Sequence, residues 1–388
     1  MPRNGFLPFS LPDIGQGEIN EVVKVLSSGW ITSGQKVAAF EKAFAEYVGS
    51  PYALTLTSCT AGLHLAMEIL DLQPGDEVIT TSLTWPATVN MIHLCGGRPV
   101  FVDVERDTFN LDVSQVEEAI TDRTRAILPV HFAGQSCELE KLRKICKDHS
   151  IELIEDAAHA VGSEYKGARI GSGNNMAVFS FHPIKNMTTG EGGMITTHNS
   201  EIFERLRTLR FHGVDKDAWK RYGRGEKAGY ELYHPGWKYN MTDIQAAIGL
   251  VQLERLDGMI EKRMTLAALY DDLLSEVHEI TRPGRVPYDI RHAWHLYTIQ
   301  VDRDKTGIPR DEFMEEMGKR NIGTGLHFRA VHELSFYKNH YPLPVGSLPE
   351  TEFISESIVS LPLYPGMNES DVYNVVAAIR DIVKKFKE

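Results

Sequence analysis

The feature that most constrains this chain is a series of seven short, β-rich apolar runs between Pro51 and Thr197, at 52–57, 77–80, 99–104, 125–130, 152–155, 177–181 and 193–197, separated by helical patterns. Such alternation makes a mostly parallel sheet covered by helices on its faces. The fold class is therefore α/β. Several runs end in polar or small residues, and the carboxyl ends of strands are where open α/β sheets assemble ligand sites.

The rest of the chain is arranged around that sheet. Ile19, Val22, Val23 and Leu26, and then Phe40, Phe44 and Tyr47, recur at helical spacing ahead of it and read as covering helices. Beyond it, Thr242 and Gln245 form a capping-box pair at the start of a long helix expected to link two domains. A strand-like segment at 294–301 and a final amphipathic pattern carrying Val372, Val375, Val376, Ile379, Val383 and Phe386 predict a smaller C-terminal α+β domain. Residues 1–255 are accordingly assigned to an N-terminal segment and the large domain, and 256–388 to the linking helix and the small one. The Gly-rich, charged stretch 216–236 reads as a long loop.

Composition narrows the function. With 42% apolar and 24% charged residues and no apolar run of spanning length, no membrane partner is expected. The first residues lack a secretory pattern, which predicts a cytoplasmic location. A net charge of -12 argues against nucleic acid but leaves room for a local pocket taking a small phosphorylated molecule. Cys59, Cys95, Cys137 and Cys146 show no C-x-x-C spacing, so free thiols are expected, with neither a zinc site nor disulfides.

Three segments carry chemistry. In Ile154-Glu-Asp-Ala-Ala-His159, Asp156 follows an apolar run and projects from the end of a buried strand, where an ionised carboxylate needs a cationic or hydrogen-bonding partner. The protonated nitrogen of pyridoxal phosphate (PLP) is one such partner, and a helix N-cap role fits the motif equally. Lys185 lies 29 residues further on, in a polar turn between two strands, where it can form a Schiff base and then act as a base; a solvated loop lysine is the alternative. Thr57-Ser-Cys-Thr-Ala-Gly62 is a strand-to-helix turn of small residues whose backbone amides can cradle a phosphate. Trp85, just past another strand end, can stack on a flat ring or fill the core.

The order of these segments, with Asp156-Ala-Ala-His159, Ser180-Phe-His-Pro-Ile-Lys185-Asn, Glu191-Gly-Gly193, Gly236-Trp-Lys-Tyr-Asn-Met-Thr-Asp243 and Gly325-Leu-His-Phe-Arg329, resembles the sugar-nucleotide aminotransferases of the DegT/DnrJ/EryC1/StrS family over nearly the whole chain. The resemblance implies the PLP-dependent transferase fold type I. It also implies that Lys185 is catalytic and carries the cofactor, that Asp156 pairs with the pyridine nitrogen and that His159 lies near the ring hydroxyl. Trp85 would stack, and Cys59, Thr60 and Ser180 would hold the phosphate. Asn240 would reach the phosphate of a second subunit in a homodimer with shared sites, although its residues alone suggest a turn or cap role ahead of Thr242. His327 and Arg329 are candidate substrate contacts, and no metal is expected.

The implied reaction is transfer of an amino group from L-glutamate, leaving 2-oxoglutarate, to the C4 keto group of a nucleotide-linked sugar. Ser82-Leu-Thr-Trp85, Pro129-Val-His-Phe-Ala-Gly134, His292-Ala-Trp-His-Leu296 and Gly323-Thr-Gly-Leu-His-Phe-Arg329 look closest to family members that turn a UDP-4-keto-pentose into UDP-4-amino-4-deoxy-L-arabinose for lipid A modification. A nucleotide-linked 4-keto-6-deoxyhexose is the alternative acceptor. A sugar dehydratase of the same fold would carry histidine in place of Lys185, and a non-catalytic binding protein need not keep Asp156 and Lys185 together.

Overall fold

A computed structural model describes residues 5–214, 231, 232 and 234–387; most of the stretch at 216–236 read as a loop lies outside the described residues. All seven β-rich runs form strands of one sheet: β1 (Tyr52–Leu56), β2 (Glu77–Thr81), β3 (Arg98–Val102), β4 (Thr124–Leu128), β5 (Glu152–Asp156), β8 (Met176–Ser180) and β9 (Gly193–Thr197). Their order is β1-β9-β8-β5-β4-β2-β3. Strands β3, β2, β4, β5 and β8 are mutually parallel, whereas β9 runs against both β1 and β8. The carboxyl ends of β2, β4, β5 and β8 therefore open on the same edge.

Period-two alternation explains why these runs read as nearly continuous apolar stretches. Along β5 and β8, Ile154, Met176 and Val178 enter a core beneath α3 (Cys59–Ile69) and α4 (Pro86–Leu94). Their neighbours Leu153, Ala177 and Phe179 enter the opposite core with α2 (Gln35–Val48) and α5 (Leu139–His149). Both faces are buried, so apolar side chains are needed at every position. The 32-residue α7 (Asp243–Leu274) opens on the expected reciprocal cap: Gln245 N donates to Thr242 Oγ1 at 3.3 Å and Thr242 N to Gln245 Oε1 at 3.0 Å. Its first half contributes Ala246, Leu253 and Leu256 to the large core, and its second half contributes Leu266, Tyr270 and Leu274 to a second core.

That second core lies among the antiparallel strands β10 (Ile280–Thr281), β12 (Tyr297–Val301) and β13 (Ile358–Leu361) and the helices α9 (Arg310–Lys319) and α12 (Glu369–Lys387). Leu7 joins it, because the chain start pairs with Ile322. The strand expected at 294–301 begins only at Tyr297: Trp294 takes a left-handed φ of 47° and stacks on His292, which breaks the extended backbone there. A further difference concerns α1 (Gln16–Ser28). Ile19, Val23 and Leu26 point to solvent at 50%, 54% and 54% exposure. The helix instead sits on α7 through buried Glu18, which accepts from Arg255 and from Gln252 Nε2. None of the described helices is long and apolar enough to cross a membrane. All four cysteines are free.

Candidate active site

A cavity of about 360 Å³ opens where β5 and β8 end. Strand β5 delivers Asp156 to its wall, where burial pushes the carboxyl pKa up. Only two groups oppose that shift by hydrogen bonding: Thr88 Oγ1 donates to Oδ2 at 2.8 Å and Ala158 N to Oδ1 at 3.1 Å. Among the described residues Asp156 has no ion-pair partner, so a cation bound in the cavity would meet a desolvated carboxylate.

Strand β8 ends at Ser180, and the turn that follows brings Lys185 into the same cavity. Burial lowers the Lys185 pKa to about 8, against the raising influence of the Asp156 charge. A good fraction of the amine is therefore neutral, and so nucleophilic, near physiological pH. Two hydrogen bonds from distant segments hold the turn. Thr188 N donates to Gln252 Oε1 of α7 at 3.3 Å, and Asn186 Nδ2 donates to Ala293 O at 2.6 Å.

The small-residue turn lies at the N-terminus of α3. Ser58 caps the helix, its Oγ accepting from Ala61 N at 3.1 Å. The amides of Cys59 and Thr60 have no protein acceptor among the described residues, as expected at a helix N-terminus open to an anion. Burial pushes the Cys59 thiol well up, so it stays protonated. Gly193 allows this turn to pack closely on β9, since a Cβ there would lie 2.5 Å from Ser58 C. Trp85, the N-cap of α4, is 63% exposed and forms another wall.

His159 lies deep in the cavity, its ring stacked on Phe328 at 5.8 Å. Its Nδ1 accepts from Ala133 N at 3.3 Å, which leaves the proton on Nε2. Burial keeps it neutral. His327 also lines the cavity, with Nδ1 2.9 Å from Ser360 Oγ, and burial lowers its pKa to about 3.

The cavity thus brings together Cys59, Thr60, Trp85, Asp156, His159, Ser180, Lys185 and His327. Two expected residues are not among them. Asn240 hydrogen-bonds Ser33 and Lys238 away from the cavity of its own chain, and Arg329 is exposed and outside the lining. Conversely, Thr88, His182, Glu191 and Phe328 line the cavity without having been singled out. Thr88 had a sequence signal, lying one helical turn beyond Thr84 and Trp85; Phe328 lies beside His327 in the Gly325–Arg329 segment and arrives from far along the chain. Free backbone donors, an uncompensated buried carboxylate, a depressed lysine and a broad indole face together fit a phosphorylated, protonated aromatic aldehyde.

Comparison with known proteins agrees. Residues 12–380 match the DegT/DnrJ/EryC1/StrS aminotransferase family. The chain is 45% identical over 383 residues to the spore coat polysaccharide biosynthesis protein SpsC of Bacillus subtilis, covering 98% of each. Among solved structures it resembles the PLP form of the putative sugar aminotransferase Spr1654 of Streptococcus pneumoniae (TM-score 0.90, 32% identity, 98% of this chain and 99% of that one). It resembles equally PseC of Helicobacter pylori, an aminotransferase involved in pseudoaminic acid biosynthesis (TM-score 0.90, 30% identity, 98% of this chain and 100% of that one). With family, fold and cofactor cavity in agreement, the chain belongs to the DegT/DnrJ/EryC1/StrS family and is a PLP-dependent sugar aminotransferase of fold type I.

Proposed function

We propose that the protein moves the amino group of L-glutamate to the C4 keto carbon of a nucleotide-linked sugar, with a UDP-4-keto-pentose as acceptor, UDP-4-amino-4-deoxy-L-arabinose as product and lipid A modification as its pathway. The observation that carries the chemistry is Lys185, lowered to about 8 and sharing one cavity with the uncompensated Asp156. PLP, when bound, supplies the electron sink for charge developing at the substrate carbon. Lys185 would hold the cofactor, and its neutral amine would move the proton at the reacting carbon. Asp156 would keep the pyridine nitrogen protonated. The Cys59 and Thr60 amides and the Ser180 hydroxyl would hold the phosphate, Trp85 would stack on the ring, and the Nε2–H of His159 would donate toward the ring hydroxyl. His327 and Arg329 contact the sugar nucleotide.

We assign the working form to a homodimer in which Asn240 completes the neighbouring site. Two observations support it: Asn240 is held outside its own cavity, and α1 presents the apolar stripe Ile19, Val23 and Leu26 to solvent. Mixing Lys185→Ala with Asn240→Ala subunits should recover activity through one intact site per mixed dimer; subunits that exchange without recovery would remove Asn240 from this role.

The pentose assignment rests on the likeness of the segments around Trp85, Val130, Trp294 and His327. A nucleotide-linked 4-keto-6-deoxyhexose is the second reading, and the relatives named for spore coat polysaccharide and pseudoaminic acid biosynthesis show that similar chains serve pathways other than lipid A modification. Catalytic efficiency with a UDP-4-keto-pentose and with a nucleotide-linked 4-keto-6-deoxyhexose, under identical conditions with glutamate, separates the two. A methyl-sized difference is worth about 10- to 200-fold. Preference for the hexose would overturn the pentose assignment and leave the amino transfer intact.

A further inference from the structure

Behind the phosphate turn, on the same helix, three side chains of different chemistry converge. His64 and Glu68 stand one turn apart on α3, with His64 Nε2 3.4 Å from Glu68 Oε1. Cys95, immediately after α4, points its sulfur at the same oxygen from 3.6 Å. One ligand atom from each residue falls within 4.8 Å of the other two, and all three residues are half-buried. A tetrahedral ion bound at about 2.0–2.3 Å from nitrogen, oxygen and sulfur holds its ligands roughly 3.3–3.8 Å apart. The separations of 3.4 Å and 3.6 Å already fall in that range.

The surroundings suit an ion as well. Tyr239 OH lies 3.0 Å from His64 Nδ1, the outer partner a metal-bound imidazole needs to fix its ring and present Nε2. The Trp237 ring, with its centroid 4.6 Å from that of His64, walls the group on one side. We propose that His64, Glu68 and Cys95 form a zinc site, with water in the fourth position. One soft sulfur, one imidazole and one carboxylate select zinc over calcium or magnesium, which take oxygen ligands.

Binding breaks the Cys95 S–H bond and releases its proton to solvent. The sulfur, the Nε2 lone pair and a carboxylate oxygen then coordinate the ion, and nothing is oxidised or reduced. The site ties the end of α4 to α3. Those helices begin with Trp85 at the N-cap and with Cys59 and Thr60, so zinc would brace two walls of the cofactor cavity from behind. Cysteine spacing gave no hint of it, because the thiol lies 27 residues from its carboxylate partner.

The test uses the PLP-loaded enzyme, stripped with a chelator, dialysed, and titrated with Zn²⁺ under elemental analysis or with Co²⁺ under absorption spectroscopy. The expected result is one Zn²⁺ per chain, a thiolate-to-cobalt charge-transfer band and a higher Tm with zinc. Each should be lost in Cys95→Ser and in Glu68→Gln, while Tyr239→Phe weakens Zn²⁺ binding about tenfold. Cys95→Ser changes one half-buried atom and keeps the protein folded for the comparison. Failure of the wild type to retain zinc, or equal retention and an unchanged band in Cys95→Ser, would overturn the site.

Discussion

Two carboxylates adjacent on β5, one on each face of the strand, meet opposite fates. Glu155 is 1% exposed and accepts from His131 Nε2 at 2.9 Å and Asn175 Nδ2 at 2.8 Å, with Arg143 3.5 Å away. Burial pushes its pKa up, but the His131 hydrogen bond, Arg143 and Asn175 together pull it below the ordinary value. Asp156, 3% exposed, receives one hydroxyl and one amide, and burial leaves its pKa raised. The first carboxylate has His131 and Arg143 at hydrogen-bonding distance, and the second has only a hydroxyl, an amide and the more distant Lys185. A buried charge with all its partners belongs to the fold, and one without them marks the site.

The comparison is sharpened most by removing the group opposite Asp156. Lys185→Ala should cut transamination by about 10⁴-fold, since in the proposed reaction one side chain both carries the cofactor and moves the proton. PLP should still bind through phosphate and ring contacts, but without the visible absorbance of the lysine-linked form. Turnover within tenfold of wild type would take Lys185 out of its role.

Next come the two carboxylates themselves. Asp156→Asn should lower kcat by about 10²–10³-fold, the usual scale for losing one preorganised electrostatic partner. The same change should raise the Tm of the PLP-free protein at neutral pH. Because the folded pKa of Asp156 is raised, its ionised form costs stability as pH rises through that value, and the neutral amide avoids the cost. Glu155→Gln should do the reverse, lowering stability by about 1–3 kcal/mol with kcat nearly unchanged. The folded pKa of Glu155 is lowered, so its contribution is present above the unfolded value and lost as pH falls through the folded one. Matching Tm shifts of the same sign in both variants would break the distinction.

A subtler effect concerns pH. The PLP-free protein should capture cofactor through neutral Lys185, with a rate that climbs as pH approaches about 8 and then levels off. Asp156→Asn removes a charge that raises that pKa, so its inflection should move to lower pH. An inflection near the ordinary lysine value in the wild type would contradict the burial of the amine. The smallest change expected is in Thr88→Val, which removes one hydrogen bond from Asp156 and should cost about threefold to tenfold in kcat.

What could be read from the sequence follows the range of the forces involved. The strands were legible because burial on both faces demands unbroken apolar runs, and the α7 cap because Thr242 and Gln245 satisfy each other locally. Lys185 and Asp156 were legible because Asp156 ends an apolar strand and Lys185 lies in the polar turn that follows another. Long-range partners were not: Phe328 packs on His159 from far along the chain, and the outward turn of Ile19, Val23 and Leu26 goes with Glu18 finding Arg255 some 237 residues away. The left-handed Trp294 goes with a local contact, stacking on and hydrogen-bonding to His292 two residues earlier, that follows no standard turn pattern.

The central claim, that Lys185 carries the cofactor opposite Asp156, is tested most directly by reducing the holoenzyme with borohydride and mapping the modified peptide by mass spectrometry. The account predicts a pyridoxyl group, retaining its phosphate, on the peptide that contains Lys185. A cofactor fixed on any other lysine, with Lys185 unmodified, would contradict it.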